Sequence, residues 1–338
     1  MKYIQHYSLL AHNTFGIDAR CSRFVEYGSI EEAKLVAQLL NESSMPYIII
    51  GGGSNLLLTR DFEGIVVHSA LRGITRVEQS ADSSLLQCGA GEVWDDVVAY
   101  SLQEHLYGAE NLSLIPGDVG ASAVQNIGAY GVEVKDLIAE VEAVEIASGK
   151  VCRFSNAECR YGYRDSRFKH DWKNRYLVTH VSYKLSHTFR PRLDYGNIQA
   201  ELEHRGISHP TAQQLRQLII DIRMAKLPDP KVMGNAGSFF MNPVVDRSKY
   251  EALLEQYPQM PHYTIDEEHE KIPAGWLIDQ CGWKGRSLGP AGVHDRQALV
   301  LVNLGGARGE DIVRLCTTIQ HDVNSKFGID IHPEVNII

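Results

Sequence analysis

The segment Tyr47-Ile-Ile-Ile-Gly-Gly-Gly-Ser-Asn-Leu-Leu-Leu58 joins one apolar, strand-like run to a second through three consecutive glycines. A glycine turn after a buried strand is where a Rossmann fold grips a dinucleotide, but that fingerprint is GxGxxG opening a long crossover helix. Here Gly51-Gly52-Gly53-Ser54-Asn55-Leu56 lacks the last glycine, and only five residues separate Asn55 from Asp61. Gly89-Ala-Gly91-Glu-Val-Trp94, after the strand-like Leu85-Leu-Gln-Cys88, lacks the third glycine as well, and there is no Walker A lysine. A third glycine-rich run, residues 111–131, reads as one long loop, and loops of that length in compact domains are usually functional. Tight turns are the plain reading of any one of these. Three in succession point to an anionic cofactor held by backbone N–H groups, which glycine lets approach phosphate oxygens.

Outward from these loops the chain reads as α+β. Ser29 and Glu32 have capping-box spacing ahead of Ala33, Val36, Ala37 and Leu40, which recur at helical period. Further helices are expected at about 92–106, 211–225 (Thr211 and Gln214 as its cap), 246–257, 273–281 and 309–326. Strands are expected at 65–67, 85–88, 138–146, 176–185, 298–303 and 329–338. Residues 186–210 turn polar, so a domain boundary is placed between 195 and 210, dividing the chain into 1–200 (two subdomains, split near 68) and 201–338.

The 338 residues include 42 acidic and 33 basic side chains, a net charge of −9. A broadly basic surface for nucleic acid is therefore excluded, while a small anion on backbone amides is not. No apolar run approaches the roughly 20 residues that span a bilayer, and Met1–His6 does not read as a secretory signal, so no membrane partner is expected. The six cysteines contain no CxxC pair and suit thiols in a reducing cytoplasm. The 14 histidines show no HExxH spacing, so no metal is expected.

Four motifs in order complete the reading: Gly51-Gly-Gly-Ser-Asn55, Ile115-Pro-Gly-Asp-Val-Gly-Ala-Ser-Ala-Val-Gln-Asn-Ile-Gly-Ala-Tyr-Gly131, Tyr161-Gly-Tyr-Arg-Asp-Ser166 and Gly234-Asn-Ala-Gly-Ser-Phe-Phe240. Together they resemble the UDP-N-acetylenolpyruvoylglucosamine reductase family over about Asn13 to Glu334, and Tyr195-Gly196 resembles its longer, type I branch. The resemblance implies an FAD-binding domain of the vanillyl-alcohol-oxidase (PCMH) type over 1–200 and a smaller α+β substrate-binding domain over 201–338. It implies non-covalent FAD, NADPH as co-substrate and a UDP-sugar substrate, in a cytoplasmic enzyme of peptidoglycan-precursor synthesis expected to be a monomer. In this chemistry flavin N5 delivers hydride to the methylene carbon of an enolpyruvyl ether, and the neighbouring carbon is then protonated. A flavin oxidoreductase of the same fold acting on another small molecule, and a non-catalytic nucleotide-binding module, are the competing readings.

The resemblance also assigns residues. Ser238 matches the proton donor, though a serine after glycine is ordinarily a turn or cap hydroxyl. Arg164 matches the arginine that meets the substrate carboxylate, the alternative being a surface pair with Asp165. Glu334 matches the catalytic glutamate; by alternation it lies opposite the apolar Ile329, Ile331, Val335 and Ile337, which equally suits a solvated face. Tyr195 and Lys226 match diphosphate contacts, Asn242 a polar active-site residue, and Tyr163 and Gln297 further substrate contacts. Lys226 would equally complement a helix dipole, and Tyr195 would equally serve as a core aromatic. The cofactor set is Gly51, Gly52, Gly53, Ser54, Asn55, Pro116, Gly117, Gly120, Ala121, Ser122, Asn126, Gly128, Tyr130 and Gly131. Two positions depart from the family pattern: Asp118, where a small neutral residue is usual and which is expected to point to solvent, and Met241, where a polar or basic one is common.

Overall fold

The computed structural model describes residues 1–338. The helices are α1 (Ile30–Glu42), α2 (Trp94–Gln103), α3 (Val119–Gln125), α4 (Asn156–Cys159), α5 (Ile198–His204), α6 (Ala212–Lys226), α7 (Arg247–Gln256), α8 (Ala274–Gln280) and α9 (Gly309–Phe327). The fold is α+β, with two compact units. The first comprises residues 1–7, 21–52 and 63–225, and the second 8–20, 53–62 and 226–338.

The first unit is built on two sheets. One orders the strands Lys2–Ser8, Arg20–Tyr27, Phe62–Ser69 and Tyr47–Ile50, the last two paired in parallel. No helix lies between Tyr47–Ile50 and Phe62–Ser69, so the non-Rossmann expectation holds. The Ser29 side chain accepts from the Glu32 N–H at 3.1 Å and starts α1, whose Ala33, Val36, Ala37 and Leu40 pack on Val25, Ile65 and Val67. The other sheet is antiparallel, in the order Val151–Ser155, Ile138–Glu145, Tyr176–Ser186, Ser83–Gly89 and Ile74–Gln79. Trp94, Val97, Val119, Ala123 and Tyr183 fill the cluster over it.

The apolar face of α6 (Leu215, Leu218, Ile219, Ile222) packs on Ile198 and Leu202 of α5, with Tyr130 against the same cluster. The cap of α6 is reciprocal: Gln214 N–H donates to Thr211 Oγ1 at 3.2 Å, and Thr211 N–H to Gln214 Oε1 at 2.9 Å. Contact therefore keeps residues 201–225 with the first unit, and the 200/201 line does not coincide with the physical division. Nor does residue 68 separate two cores, since the cluster under α1 draws on Val144, Ile146 and Leu177 as well.

Three elements differ from expectation. Residues 111–131 are not one loop: Asp118 is extended at the start of α3, and Asn126 in the left-handed region ends it. The polar 186–210 region holds α5, buried through Ile198 and Leu202. The expected 329–338 strand is reduced to Asn336–Ile337, paired in parallel with Leu56–Leu57, and an isolated antiparallel bridge between Pro333 and Phe240. Ile329, Ile331 and Val335 are buried as the alternation predicts, but Ile337 is 43% exposed.

In the second unit a four-stranded sheet runs Gly234–Asn235, Leu301–Asn303, Ala291–Val293 and Ser287–Leu288, with α9 across it. The acidic 266–270 region is a hairpin, His269–Lys271 pairing both Tyr263–Thr264 and Val244–Asp246.

Candidate active site

The second unit holds Ser238, Glu334, Asn55 and Gln297 close together through backbone bonds. Asn235 anchors the turn before Ser238. Its N–H donates to Thr14 O at 2.9 Å, its carbonyl accepts from Thr14 Oγ1 at 2.6 Å, and its Oδ1 accepts from Gly237 N–H at 2.9 Å. Phe239 and Phe240 are buried, with Phe239 edge-on to Phe15, so the chain is pinned on both sides of Ser238. Ser238 itself is exposed. It precedes no helix, so it is not a cap hydroxyl.

Phe239 reaches two further candidates. Its carbonyl accepts from Glu334 N–H at 2.8 Å, and its N–H donates to Leu299 O at 2.7 Å, beside Gln297. The Glu334 carbonyl accepts from Asn55 Nδ2 at 3.3 Å, and the Asn55 carbonyl accepts from Asn336 N–H at 3.1 Å. Gly53 makes this approach sterically available. Its φ is +67°, and a Cβ there would lie 1.9 Å from the His12 carbonyl oxygen. Asn242 Oδ1 accepts from the Ala274 N–H at 2.9 Å, so that oxygen is committed to the start of α8. Gln297 Oε1 accepts from Leu299 N–H at 3.3 Å. Lys226 is exposed at the last residue of α6. Met241 is exposed beside this cluster, its N–H donating to His332 O at 2.9 Å.

The first unit gathers Arg164, Gly128, Tyr130, Gly131, Tyr163 and Tyr195. Arg164 has φ +54°, a left-handed conformation that costs a side-chain-bearing residue on the order of 1 kcal/mol. Surrounding bonds hold it there. Gly162 and Asp165 exchange backbone bonds at 3.0 and 3.1 Å, Lys169 Nζ donates to the Arg164 carbonyl at 2.8 Å, and Arg164 Nη2 donates to Gly128 O at 2.7 Å. Asp165 itself pairs with His170 at 2.7 Å. Tyr163 is 51% exposed, with the Arg164 guanidinium 5.9 Å from its ring centroid. Gly131 has φ +77°, and a Cβ on it would sit 3.2 Å from Tyr195 Cβ. Tyr195 is 47% exposed, which rules out the core-aromatic alternative.

One member of this group was missed in the sequence. Arg223, one turn before Lys226 on α6, has a buried Nε without a hydrogen-bond partner. Burial pulls its pKa below the usual guanidinium value; nearby Tyr130 offsets this and Arg164 adds to it. The signal was an i, i+3 basic pair on α6, overlooked beside the apolar face of the same helix.

The glycine loops make a third cluster. Gly51 and Gly52 face Gly117, Asp118 and Ala121: a Cβ on Gly51 would lie 2.9 Å from Ala121 Cβ, and one on Gly52 3.5 Å from Gly117 Cα. Gly120 packs on Ala90, its N–H donating to Ala90 O at 2.8 Å. The N–H groups of Gly52, Gly53 and Asn55 donate to no carbonyl of the protein. Side-chain-poor loops of this kind let backbone N–H groups approach an anion. Pro116 and Ser54 lie on the same two loops.

Two expected cofactor residues are committed elsewhere through their side chains. Ser122 Oγ is buried, donating to Val119 O at 2.7 Å and bonded to Tyr183 OH at 2.9 Å. Asn126 Nδ2 donates to Gly162 O at 2.6 Å and its Oδ1 accepts from Lys135 N–H at 3.1 Å, so it ties the loop to the Arg164 turn. Asp118 corrects a third expectation. Its side chain is only 12% exposed, lying against Gly51 and Gly52 with His68 Nε2 at 3.5 Å rather than in solvent.

Two family models match the chain, an FAD binding domain over residues 21–155 and the UDP-N-acetylenolpyruvoylglucosamine reductase C-terminal domain over 229–338. The UDP-N-acetylenolpyruvoylglucosamine reductase of Bacteroides fragilis strain YCH46 is 56% identical over 99% of both chains. That of Pseudomonas aeruginosa is 46% identical over 98% of both. The solved reductase structure from Thermus caldophilus superposes with a TM-score of 0.69 at 23% identity, covering 99% of this chain and 98% of its own, and so shares the fold. With sequence identity of that extent running from end to end, the chain belongs to the UDP-N-acetylenolpyruvoylglucosamine reductase family.

Proposed function

We propose that the protein catalyses the NADPH-driven, FAD-dependent reduction of UDP-N-acetylenolpyruvoylglucosamine to UDP-N-acetylmuramate, a step of peptidoglycan-precursor synthesis. When bound, FAD would supply hydride transfer between NADPH and the methylene carbon of the enolpyruvyl ether. The protein's own tasks are to hold the substrate carboxylate, stabilise the charge that gathers beside it and protonate the neighbouring carbon.

Arg164 pairs with the carboxylate. Its guanidinium never loses charge, and its planar fork matches two carboxylate oxygens. Ser238 donates the proton from Oγ. A hydroxyl is a weak acid, which suits a strongly basic carbon and leaves water unactivated. The oxygen then recovers a proton from solvent. Glu334, joined through the Phe239–Glu334 backbone bond to the segment carrying Ser238, orients the reacting end of the substrate. Tyr195 and Lys226 hold the diphosphate, with Tyr163, Asn242 and Gln297 as further substrate contacts. The FAD diphosphate takes the N–H groups around Gly52, Gly53 and Asn55. Residues 1–200 are read as the cofactor half of the chain and 201–338 as the substrate half.

The observation that supports this reading is the Glu334 N–H to Phe239 O bond, which ties Glu334 by its backbone to the segment carrying the exposed Ser238. No helix of the chain is long and apolar enough to cross a membrane, and a cytoplasmic monomer supplied with NADPH is the setting proposed. The test follows NADPH oxidation with and without the enolpyruvyl sugar nucleotide. Oxidation tied stoichiometrically to sugar nucleotide is expected; a flavin reduced instead by an alcohol or carbon acid, indifferent to NADPH, favours the other oxidoreductase reading.

A further inference from the structure

The Asp118 carboxylate lies in the seam between the two glycine loops. A Cβ on Gly52 would meet one of its oxygens at 3.1 Å, and a Cβ on Gly51 would meet the other at 3.5 Å. A fixed negative charge at that place opposes a diphosphate held by the same loops, since like charges a few ångströms apart repel strongly where water is scarce.

A countercharge is built beside it. His68, near the end of the strand Phe62–Ser69, places Nε2 3.5 Å from the Asp118 carboxylate and Nδ1 2.9 Å from Glu26 Oε2 on the strand Arg20–Tyr27. Phe24 stacks on the imidazole at 6.2 Å, and Ile50 lies across the parallel ladder. Both ring nitrogens face carboxylates, which only accept hydrogen bonds when ionised, so only the doubly protonated ring satisfies both. Burial works against that charge, but Asp118 and Glu26 outweigh it and the His68 pKa is raised. Charged groups around the ring include Asp118 from the start of α3, Glu26 from the adjoining strand and, beyond Phe24, the Lys2 ammonium 5.5 Å from that ring's centroid.

We propose that His68, held by Glu26, is a charge-compensating residue of the cofactor site, its imidazolium cancelling the Asp118 carboxylate against which the FAD diphosphate is seated. The inference rests on the reading that the glycine loops bind FAD. Glu26 keeps the ring charged and oriented, and Asp118 keeps the two loops in register.

The experiment titrates flavin-free protein with FAD, following flavin fluorescence between pH 6 and 9 at constant ionic strength. Wild type, His68→Asn, Asp118→Asn and the double variant are compared. His68→Asn is expected to weaken FAD binding ~10-fold at neutral pH, an effect that shrinks with added salt. The double variant returns to within about 2-fold of wild type. Wild-type affinity falls as pH rises and the imidazolium deprotonates, whereas the double variant is flat. Asp118→Asn alone binds FAD at least as tightly as wild type at high pH and covers the case in which His68→Asn folds poorly. Equal weakening of His68→Asn and the double variant, or a flat wild-type profile, overturns charge compensation and leaves His68 a packing residue. Failure of the wild-type protein to bind FAD at any pH overturns the cofactor reading beneath it, and this proposal with it.

Discussion

At the scale of single residues, the proposed chemistry rests on groups whose backbone is held in place by neighbouring segments. Ser238 is exposed between pinned neighbours, and Arg164 stands in a left-handed conformation closed by the Gly162–Asp165 bonds. Arg164→Lys keeps the charge and loses the planar fork, so kcat/KM for the sugar nucleotide is expected to fall ~100-fold, about 3 kcal/mol of transition-state binding. Steady-state kinetics reads this directly, and an unchanged kcat/KM would remove Arg164 from carboxylate binding. Gly53→Ala forces a Cβ into the His12 carbonyl, and thermal unfolding should show a loss of more than about 2 kcal/mol. The motif glycines were legible from local spacing, whereas Ser238 was singled out by the resemblance, a serine after glycine being locally an ordinary turn or cap hydroxyl. Arg223 was not, because its significance comes from Tyr130 and Arg164, which are distant in sequence.

Among elements, capped helices with an apolar stripe were read correctly because their rules are local: Ser29 with Glu32, and Thr211 with Gln214. Three short helices escaped, the single turn α4 (Asn156–Cys159) among them. α3 (Val119–Gln125) is short and glycine- and alanine-rich, and α5 buries little beyond Ile198 and Leu202, so neither shows helical periodicity. The clamp between α2 and α6 was also invisible: Arg216 Nη1 and Nη2 donate to Asp95 Oδ1 and Oδ2 at 2.7 and 3.0 Å, 121 positions apart. Burial pushes the Asp95 carboxyl up, but Arg216 and the Leu114 N–H outweigh it and hold its pKa below the ordinary carboxylate value. Its stabilisation is therefore complete above the unfolded value near pH ~4 and is lost as pH falls through the lower folded value. Asp95→Asn should cost about 2 kcal/mol in chemical denaturation at pH 7. That difference from wild type should narrow as the denaturation is repeated below pH ~4.

Across the whole molecule, the second unit is assembled from three separate pieces of chain, which no linear scan for linkers finds. Residues 8–20 bring Thr14 and Phe15 to Asn235 and Phe239, and residues 53–62 bring Asn55 to Glu334. A fragment of residues 226–338 alone should therefore lack a cooperative thermal transition by circular dichroism, whereas the full chain shows one. In the proposed function, proton delivery is assigned to a hydroxyl that has no part in flavin reduction. The most direct measurement is an anaerobic pair of half-reactions, wild type against Ser238→Ala. The account predicts that NADPH bleaches the flavin at similar rates in both. Adding the enolpyruvyl sugar nucleotide should then restore the yellow colour at least ~1,000-fold more slowly in the variant. Equal reoxidation of the two by the sugar nucleotide would contradict it.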